Sequence, residues 1–178
     1  MDVGRAVRSL AQGRAVGWRA WTVIETSGGF RLASVIYDTV WSPEGPVIAA
    51  CRAEQSHAAP SPACSCGFHA ARDPVDALTY LHGRDEPGTV CRVLGEVLLS
   101  GLVVETAAGY RGACAYPLRL YAEDVDVAVA LASAYVVPVL SPACVSDSVT
   151  SSARASAGSS RSSWNAARTR SSWTAASG

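Results

Sequence analysis

Residues 90–121 read VCRVLGEVLLSGLVVETAAGYRGACAYPLRLY, a stretch rich in β-branched, aliphatic and aromatic residues. Residues of these types favour strands, whereas Gly101 and the triplet at 107–109 interrupt the run. The pattern predicts three strands, at 90–99, 102–106 and 110–121. We expect these to be the central strands of the fold.

A second β-rich region near the start of the chain has the form of a hairpin. The runs GWRAWTVIE (17–25) and GFRLASVI (29–36) are separated by three residues that end in Gly28. Because glycine adopts positive φ without strain, the spacing predicts two paired strands. A short strand at 47–51 is predicted to follow, after a loop that contains Pro43 and Pro46.

Two helices are predicted, one before and one after the central strands in the sequence. Asp73 and Pro74 are typical of an N-cap and a first helical position, so a helix should begin there and run to about His82. Acidic residues at 123–126 precede apolar residues at helical spacing, which predicts a second helix that ends before Pro138. Strands, a helix, more strands and a last helix indicate an α+β domain, with a small, mostly antiparallel sheet and a metal-binding loop.

The two ends of the chain differ from this domain. Apolar residues Val3, Val7 and Leu10 recur at helical spacing, which predicts an optional N-terminal helix within residues 1–16, at about 2–12. From Ser146 onward the composition changes to Ser, Ala, Arg and Thr, with almost nothing to bury. We therefore expect a single domain over 17–140 and a disordered tail over 141–178.

The net charge of the chain gives no indication of its partner. Fifteen basic and fifteen acidic residues cancel, so the net charge gives no reason to propose a nucleic acid or an anionic membrane as partner. Four arginines in the tail, spread among small residues, make a weak phosphate-binding footprint. With no apolar run that resembles an export signal or a membrane span, we expect a cytoplasmic protein whose partner is unknown.

Four potential metal ligands lie close together in a loop that is rich in proline and small residues. They are Cys51, His57, Cys64 and Cys66. Three thiolates and one imidazole form a tetrahedral Cys₃His set typical of zinc, and Gly67 lets the chain turn sharply after the last ligand. Four protein ligands leave no open position, so we expect the zinc to be structural.

Several alternatives to this zinc site remain open at the level of sequence. His69 could replace His57 as the fourth ligand. The cysteines could also be incidental thiols, form a disulfide from Cys51 to Cys64 or Cys66, or hold iron or a redox centre. In a reducing compartment a disulfide is the less favoured outcome.

The remaining cysteines, aromatic residues and arginines have structural interpretations. Single cysteines among apolar neighbours are usually packed thiols; these are Cys91, Cys114 and Cys144. Large aromatic side chains are usually core residues; these are Trp18, Trp21, Trp41, Phe68 and Tyr80. Arg19 and Arg111, on β-rich segments beside aromatic residues, could line an anion pocket, but we expect both to reach the surface.

Four motifs resemble the outline of a family of small, uncharacterised bacterial proteins. They are GWRAW (17–21), CSCGFHA (64–70), VLGEVLLSG (93–101) and GYRGACAYPLRL (109–120). The family outline has G-Y-R-A-W, C…H…C-x-C-G-I-Y-A, G-E-V-x-L-x-G and G-Y-R-A…A-Y-P, so the resemblance covers residues 17–140. The outline has Tyr where this chain has His69, which favours His57 as the metal ligand. That family has no established activity, so the resemblance implies none for this chain.

The order of three segments also resembles the ADP-ribosyltransferase fold. The strand with Arg19, the 67–71 segment that contains His69 and leads into a helix, and the 94–101 strand match that order. The resemblance implies NAD as ligand and a catalytic glutamate near 111–114, where this chain has no acid. Because that carboxylate would stabilise an oxocarbenium-like state, we expect weak NAD binding and low or absent turnover unless Glu96 or Glu105 replaces it.

Two functional hypotheses follow. The first is a zinc-stabilised binding or accessory module without catalysis. The second is an ADP-ribosyltransferase-like enzyme, or a degenerate relative of one, with candidate catalytic residues Arg19, His69, Glu96 and Glu105. The second requires Arg19, His69 and either Glu96 or Glu105 to converge on one cleft.

Overall fold

The computed structural model describes residues 7–53, 57–82 and 87–142 of the chain. Seven strands and two α-helices lie within these residues. The strands are β1 (Val7–Thr26), β2 (Gly29–Ser34), β3 (Val47–Ile48), β4 (Phe68–Ala71), β5 (Thr89–Thr106), β6 (Gly109–Tyr121) and β7 (Val139–Leu140). The helices are α1 (Pro74–Leu78), which continues into a 3₁₀ turn at Thr79–Leu81, and α2 (Val125–Tyr135). The α+β class with a mostly antiparallel sheet is confirmed.

The predicted N-terminal hairpin is present; its first strand is longer than expected and its second strand ends two residues earlier, at Ser34. β1 pairs antiparallel with β2 from Trp21↔Ser34 to Thr26↔Gly29. The helix predicted at 2–12 is wrong for residues 7–12, which continue β1 and pair with β5. Long-range pairing with β5 overrides the local helical spacing of the apolar residues. Residues 1–6 lie outside the described part of the chain.

The stretch at 90–121 forms two long strands rather than three. β5 continues through Gly101, where the backbone has φ +78°, and β5 remains paired there with Gly13 of β1. Only the pairing with β6 is interrupted, between Ser100 and Val103. The glycine therefore lets the strand bend without ending it.

Four strands, β1, β4, β6 and β5, pair with one another in a closed ring. β1 pairs with β4 and β5, and β6 pairs with the same two strands. β3 adds to β6 at Val47↔Ala115, and β7 runs parallel to β6 at Leu120↔Val139. Since β3 and β4 both pair with β6, the loop between them has both its ends fixed on that strand.

The two helices begin where the sequence predicts. The carboxylate of Asp73 accepts a hydrogen bond from the Val75 amide at 2.8 Å, and Pro74 occupies the first turn. Asp124 caps α2 by accepting from the Val127 amide at 2.9 Å. These caps satisfy amides that have no partner within the helix.

The core lies between α2 and the sheet and contains several large aromatic side chains. Trp21 and Trp41 are fully buried and contact edge to face, with ring centroids 5.3 Å apart. The Tyr135 hydroxyl accepts a hydrogen bond from the Leu32 amide and donates one to the Trp41 carbonyl. Burial raises the pKa of Tyr135. Tyr80, by contrast, was expected in the core and is 48% exposed.

The compact unit that contains this sheet extends to Ser141. The tail predicted at 141–178 lies almost wholly outside the described residues, which end at 142. Among the described residues, no helix combines the length and the apolar character needed to cross a membrane.

Candidate metal centre

The four predicted metal ligands come together in the loop between β3 and β4. Cys51 follows β3, while Cys64 and Cys66 immediately precede β4, and His57 lies between them. Their ligand atoms all lie within 4.8 Å of one another, so the group is a possible metal site. The strands that hold its two ends both pair with β6.

Two of the distances within the group match those between the ligand atoms of a tetrahedral ion. The Sγ atoms of Cys51 and Cys64 are 3.7 Å apart, and His57 Nε2 is 3.4 Å from Cys66 Sγ. Sulfur ligands at about 2.3 Å and a nitrogen ligand at about 2.0 Å from a tetrahedral ion lie about 3.8 Å (S to S) and about 3.5 Å (S to N) apart. A disulfide would need a separation of about 2.05 Å, so the two thiols are not bonded to each other.

His69 does not join this group. Its Nε2 lies 2.8 Å from the carbonyl oxygen of Ser65, and its side chain is exposed on β4. His57 is therefore the histidine in position to complete the cluster.

A buried arginine of β6 forms hydrogen bonds with the loop between β3 and β4, which we call the metal loop. Arg111 is only 7% exposed, and its Nη1 donates to the carbonyls of Ser61 (3.2 Å), Cys64 and Cys66 (2.9 Å). The expectation that Arg111 reaches the surface is wrong, because the turns of the loop aim these three carbonyl oxygens at its guanidinium. Sequence reasoning missed this role, since the pairing His69↔Arg111 that places Arg111 under the loop is long-range.

Gly67 is required at the turn that follows the last cysteine. Its backbone has φ +109°, a conformation that side chains other than glycine rarely adopt. A Cβ atom at this position would lie 2.9 Å from Cβ of Pro60. The predicted sharp turn after Cys66 is thus present, and it returns the chain to β4.

The thiols of Cys64 and Cys66 differ in their electrostatic surroundings. A hydrogen bond from the backbone amide of Cys66 is the main cause that lowers the pKa of Cys64 to about 7. Loss of solvation raises the pKa of Cys66. Cys64 is therefore the more readily ionised of the two, and a thiolate is the form that binds metal.

The structure brings two of the four candidate catalytic residues into contact and holds the two glutamates in separate ion pairs. Arg19 and His69 are in contact, through a 2.7 Å hydrogen bond from Arg19 Nη1 to the His69 carbonyl. Glu96 pairs with Arg119 at 2.9 Å, opposite Trp18 on β1. Glu105 pairs with Arg72 at 2.8 Å, nine residues further along β5.

The other cysteines are separate from the metal site. Cys91 and Cys114 are half-buried on β5 and β6, and burial raises the pKa of the Cys91 thiol. Cys144 lies outside the described residues.

Comparisons with known proteins do not extend this assignment. A scan against protein-family models, a search of curated proteins and a search of solved structures each gave no match. The case for function therefore rests on the geometry of the Cys51, His57, Cys64 and Cys66 cluster and its surroundings.

Proposed function

We propose that this chain is a binding module without catalysis, whose loop between β3 and β4 is stabilised by one structural zinc ion. The observation that carries the proposal is the approach of Cys51, His57, Cys64 and Cys66 to within 4.8 Å at their ligand atoms. Three sulfurs and one imidazole nitrogen are a donor set that zinc favours over calcium or magnesium, which prefer oxygen.

The donor set supports a structural rather than a catalytic metal. Catalytic zinc sites keep one position for water or substrate, whereas four protein ligands fill the tetrahedron. The loop has few large apolar side chains, so its fold gains little from hydrophobic burial. A metal and the guanidinium of Arg111 would together replace the missing core in this region.

The surroundings of the candidate catalytic groups support a non-catalytic function. Both glutamates take part in ion pairs with arginines, Glu96 with Arg119 and Glu105 with Arg72. A carboxylate that already has a cationic partner is less available to stabilise a developing positive charge on a substrate.

Chelation and a cysteine variant test the structural zinc. We expect a strong chelator or the substitution Cys51→Ser to lower the melting temperature markedly, because structural zinc contributes on the order of 10 kcal/mol of apparent binding free energy. Cys114→Ser is the matched control, since Cys114 is also half-buried and lies outside the cluster. Thermal unfolding followed by circular dichroism, with metal analysis of the same samples, gives the comparison.

Two results would contradict the structural-zinc part of the proposal. One is a purified protein without metal that melts at the same temperature before and after chelation. The other is an equal loss of stability in Cys51→Ser and Cys114→Ser, which would show that the first effect comes from packing alone.

The contact between Arg19 and His69 favours one alternative, an ADP-ribosyltransferase-like function with NAD as ligand. Calorimetric titration with NAD, beside the variant Arg19→Ala, tests it. Release of nicotinamide by the wild-type protein would replace the binding-module proposal, whereas the absence of heat for both proteins would support that proposal.

A further inference from the structure

Two arginines flank the turn that leads out of β2, and neither forms an ion pair within the described part of the chain. We call residues 34–41, together with Arg19 and Arg52, the arginine-flanked turn. Arg19 reaches it from β1, and Arg52 reaches it from the start of the metal loop. Arg52 directly follows the candidate ligand Cys51 in sequence, but none of the residues of the arginine-flanked turn is itself a candidate ligand.

Arg19 is held by neutral partners. Its Nη1 donates to the His69 carbonyl at 2.7 Å and its Nη2 to Ser34 Oγ at 3.2 Å, and the guanidinium lies 5.2 Å from the ring centroid of Trp41. Its Nε is buried without a hydrogen-bond partner among the described residues. Loss of solvation lowers the pKa of Arg19 to about 10. Burial thus disfavours this positive charge, and within the described residues no carboxylate pairs with it.

Arg52, on the other side of the turn, also contacts neutral groups. Its Nη2 donates to Thr39 Oγ1 at 3.0 Å and lies 3.4 Å from the Asp38 carbonyl, and its guanidinium stacks over the ring of Tyr37 at 5.2 Å. The side chain is exposed. Asp38 is the acidic residue within the turn, and its backbone carbonyl is the group that contacts Arg52.

Between the two arginines the turn presents large apolar side chains to solvent. Ile36 is 66% exposed, Tyr37 59% and Val40 52%. Single exposed apolar residues are common on protein surfaces, whereas several exposed apolar side chains close together are typical of interaction sites.

Backbone hydrogen bonds connect the residues of the turn to one another. The Ser34 amide donates to the Thr39 carbonyl at 2.9 Å, the Thr39 amide donates to the Tyr37 carbonyl at 2.7 Å, and Ala33 forms a bridge with Val40. A preformed surface costs less conformational entropy when it binds than a flexible one does.

We infer that the arginine-flanked turn is a docking surface for an acidic, partly apolar segment of a partner protein. Carboxylates of such a segment would accept hydrogen bonds from the exposed guanidinium of Arg52, whose donors suit carboxylate geometry. Arg19, whose Nη atoms already donate to His69 and Ser34, would add a positive charge beside the turn. Its apolar side chains would cover Ile36, Tyr37 and Val40. Two guanidiniums beside aliphatic side chains suit a peptide better than a nucleic acid, since phosphate-dominated binding relies on many cationic contacts.

This inference rests on the proposed function, because Arg52 directly follows the ligand Cys51. A metal at the cluster would fix the position from which Arg52 reaches the turn. The test therefore uses metal-loaded protein whose metal content is measured in the same sample, so that a failure to bind peptide and a failure to bind metal are separate results.

Fluorescence anisotropy with a labelled peptide that alternates Glu with Leu and Phe tests the inference. We expect saturable binding that Arg52→Glu weakens by about tenfold or more, because the variant places a like charge against the peptide. We expect Tyr37→Ser, which removes exposed apolar area, to weaken binding as well. Arg14→Glu is the matched control, since Arg14 is an exposed residue of β1 outside the turn and undergoes the same change of charge.

Three results would overturn the inference. The first is no binding of the acidic peptide to metal-loaded protein. The second is equal weakening by Arg14→Glu and Arg52→Glu, which would mean that net charge alone controls affinity. The third is tighter binding of a single-stranded oligonucleotide, or of the same peptide with Lys in place of Glu.

Discussion

At the scale of single residues, Arg111 shows how a charged side chain can replace a hydrophobic core. Its guanidinium donates to carbonyl oxygens of Ser61, Cys64 and Cys66, all in the metal loop. A buried charge is costly unless hydrogen bonds compensate it, and here the loop backbone supplies the acceptors. Removing the side chain would leave three carbonyls without that donor.

We therefore predict that Arg111→Ala lowers the free energy of unfolding by about 3 kcal/mol, the order expected when hydrogen bonds to a buried charged group are lost. Chemical denaturation of metal-loaded protein measures it. Arg119→Ala is the control: Arg119 is a half-exposed arginine of the same strand that pairs with Glu96, and exposed ion pairs contribute about 0–1 kcal/mol. Equal losses in the two variants would contradict the assigned role of Arg111.

The candidate ligands, unlike Arg111, could be predicted from the sequence. Cysteine and histidine are chemically distinctive, and the spacing of Cys51, His57, Cys64 and Cys66 within one loop was enough to propose a site. Arg111 lies 45 residues beyond Cys66 in sequence and reaches the loop only through the pairing of β4 with β6. Such a contact has no local signal, because an arginine on a strand usually reaches solvent.

At the scale of elements, the sequence predicts correctly those features that depend on contacts between residues close together in the chain. Asp73 caps α1 as predicted, since an N-cap bonds to an amide two or three residues away. Asp124, predicted only as an acidic residue at the start of the second helix, is the N-cap of α2. The predicted helix at 2–12 failed over residues 7–12, because those residues pair with β5 about 90 residues later. Gly101 likewise marks a bend in β5 rather than its end.

The cap of α2 gives a prediction at this scale. We expect Asp124→Ala to lower the free energy of unfolding by about 1 kcal/mol, because the Val127 amide would lose its acceptor. Asp126→Ala, in the first turn of the same helix, removes only a favourable charge near the helix N-terminus and should cost a few tenths of a kcal/mol. Denaturant titration of both variants checks the order, and a larger effect for Asp126→Ala would contradict the capping assignment.

At the scale of the whole molecule, the α+β class could be predicted, but the closure of the sheet could not. The order of strands and helices along the chain indicates the class. The closed ring of β1, β5, β6 and β4 depends on which strands meet, and Trp18↔Ala71 and Phe68↔Gly112 are the pairings that complete it. Those pairings also bring the metal loop over β6, so the geometry of the proposed site depends on the topology of the sheet.

The central claim is that three cysteines and one histidine hold one zinc ion with no open position. X-ray absorption at the zinc edge of the purified full-length protein tests this claim most directly. We predict one zinc per chain, with three sulfur neighbours at about 2.3 Å and one nitrogen neighbour at about 2.0 Å. An absence of zinc, or a first shell dominated by oxygen and nitrogen with fewer than three sulfurs, would contradict the account.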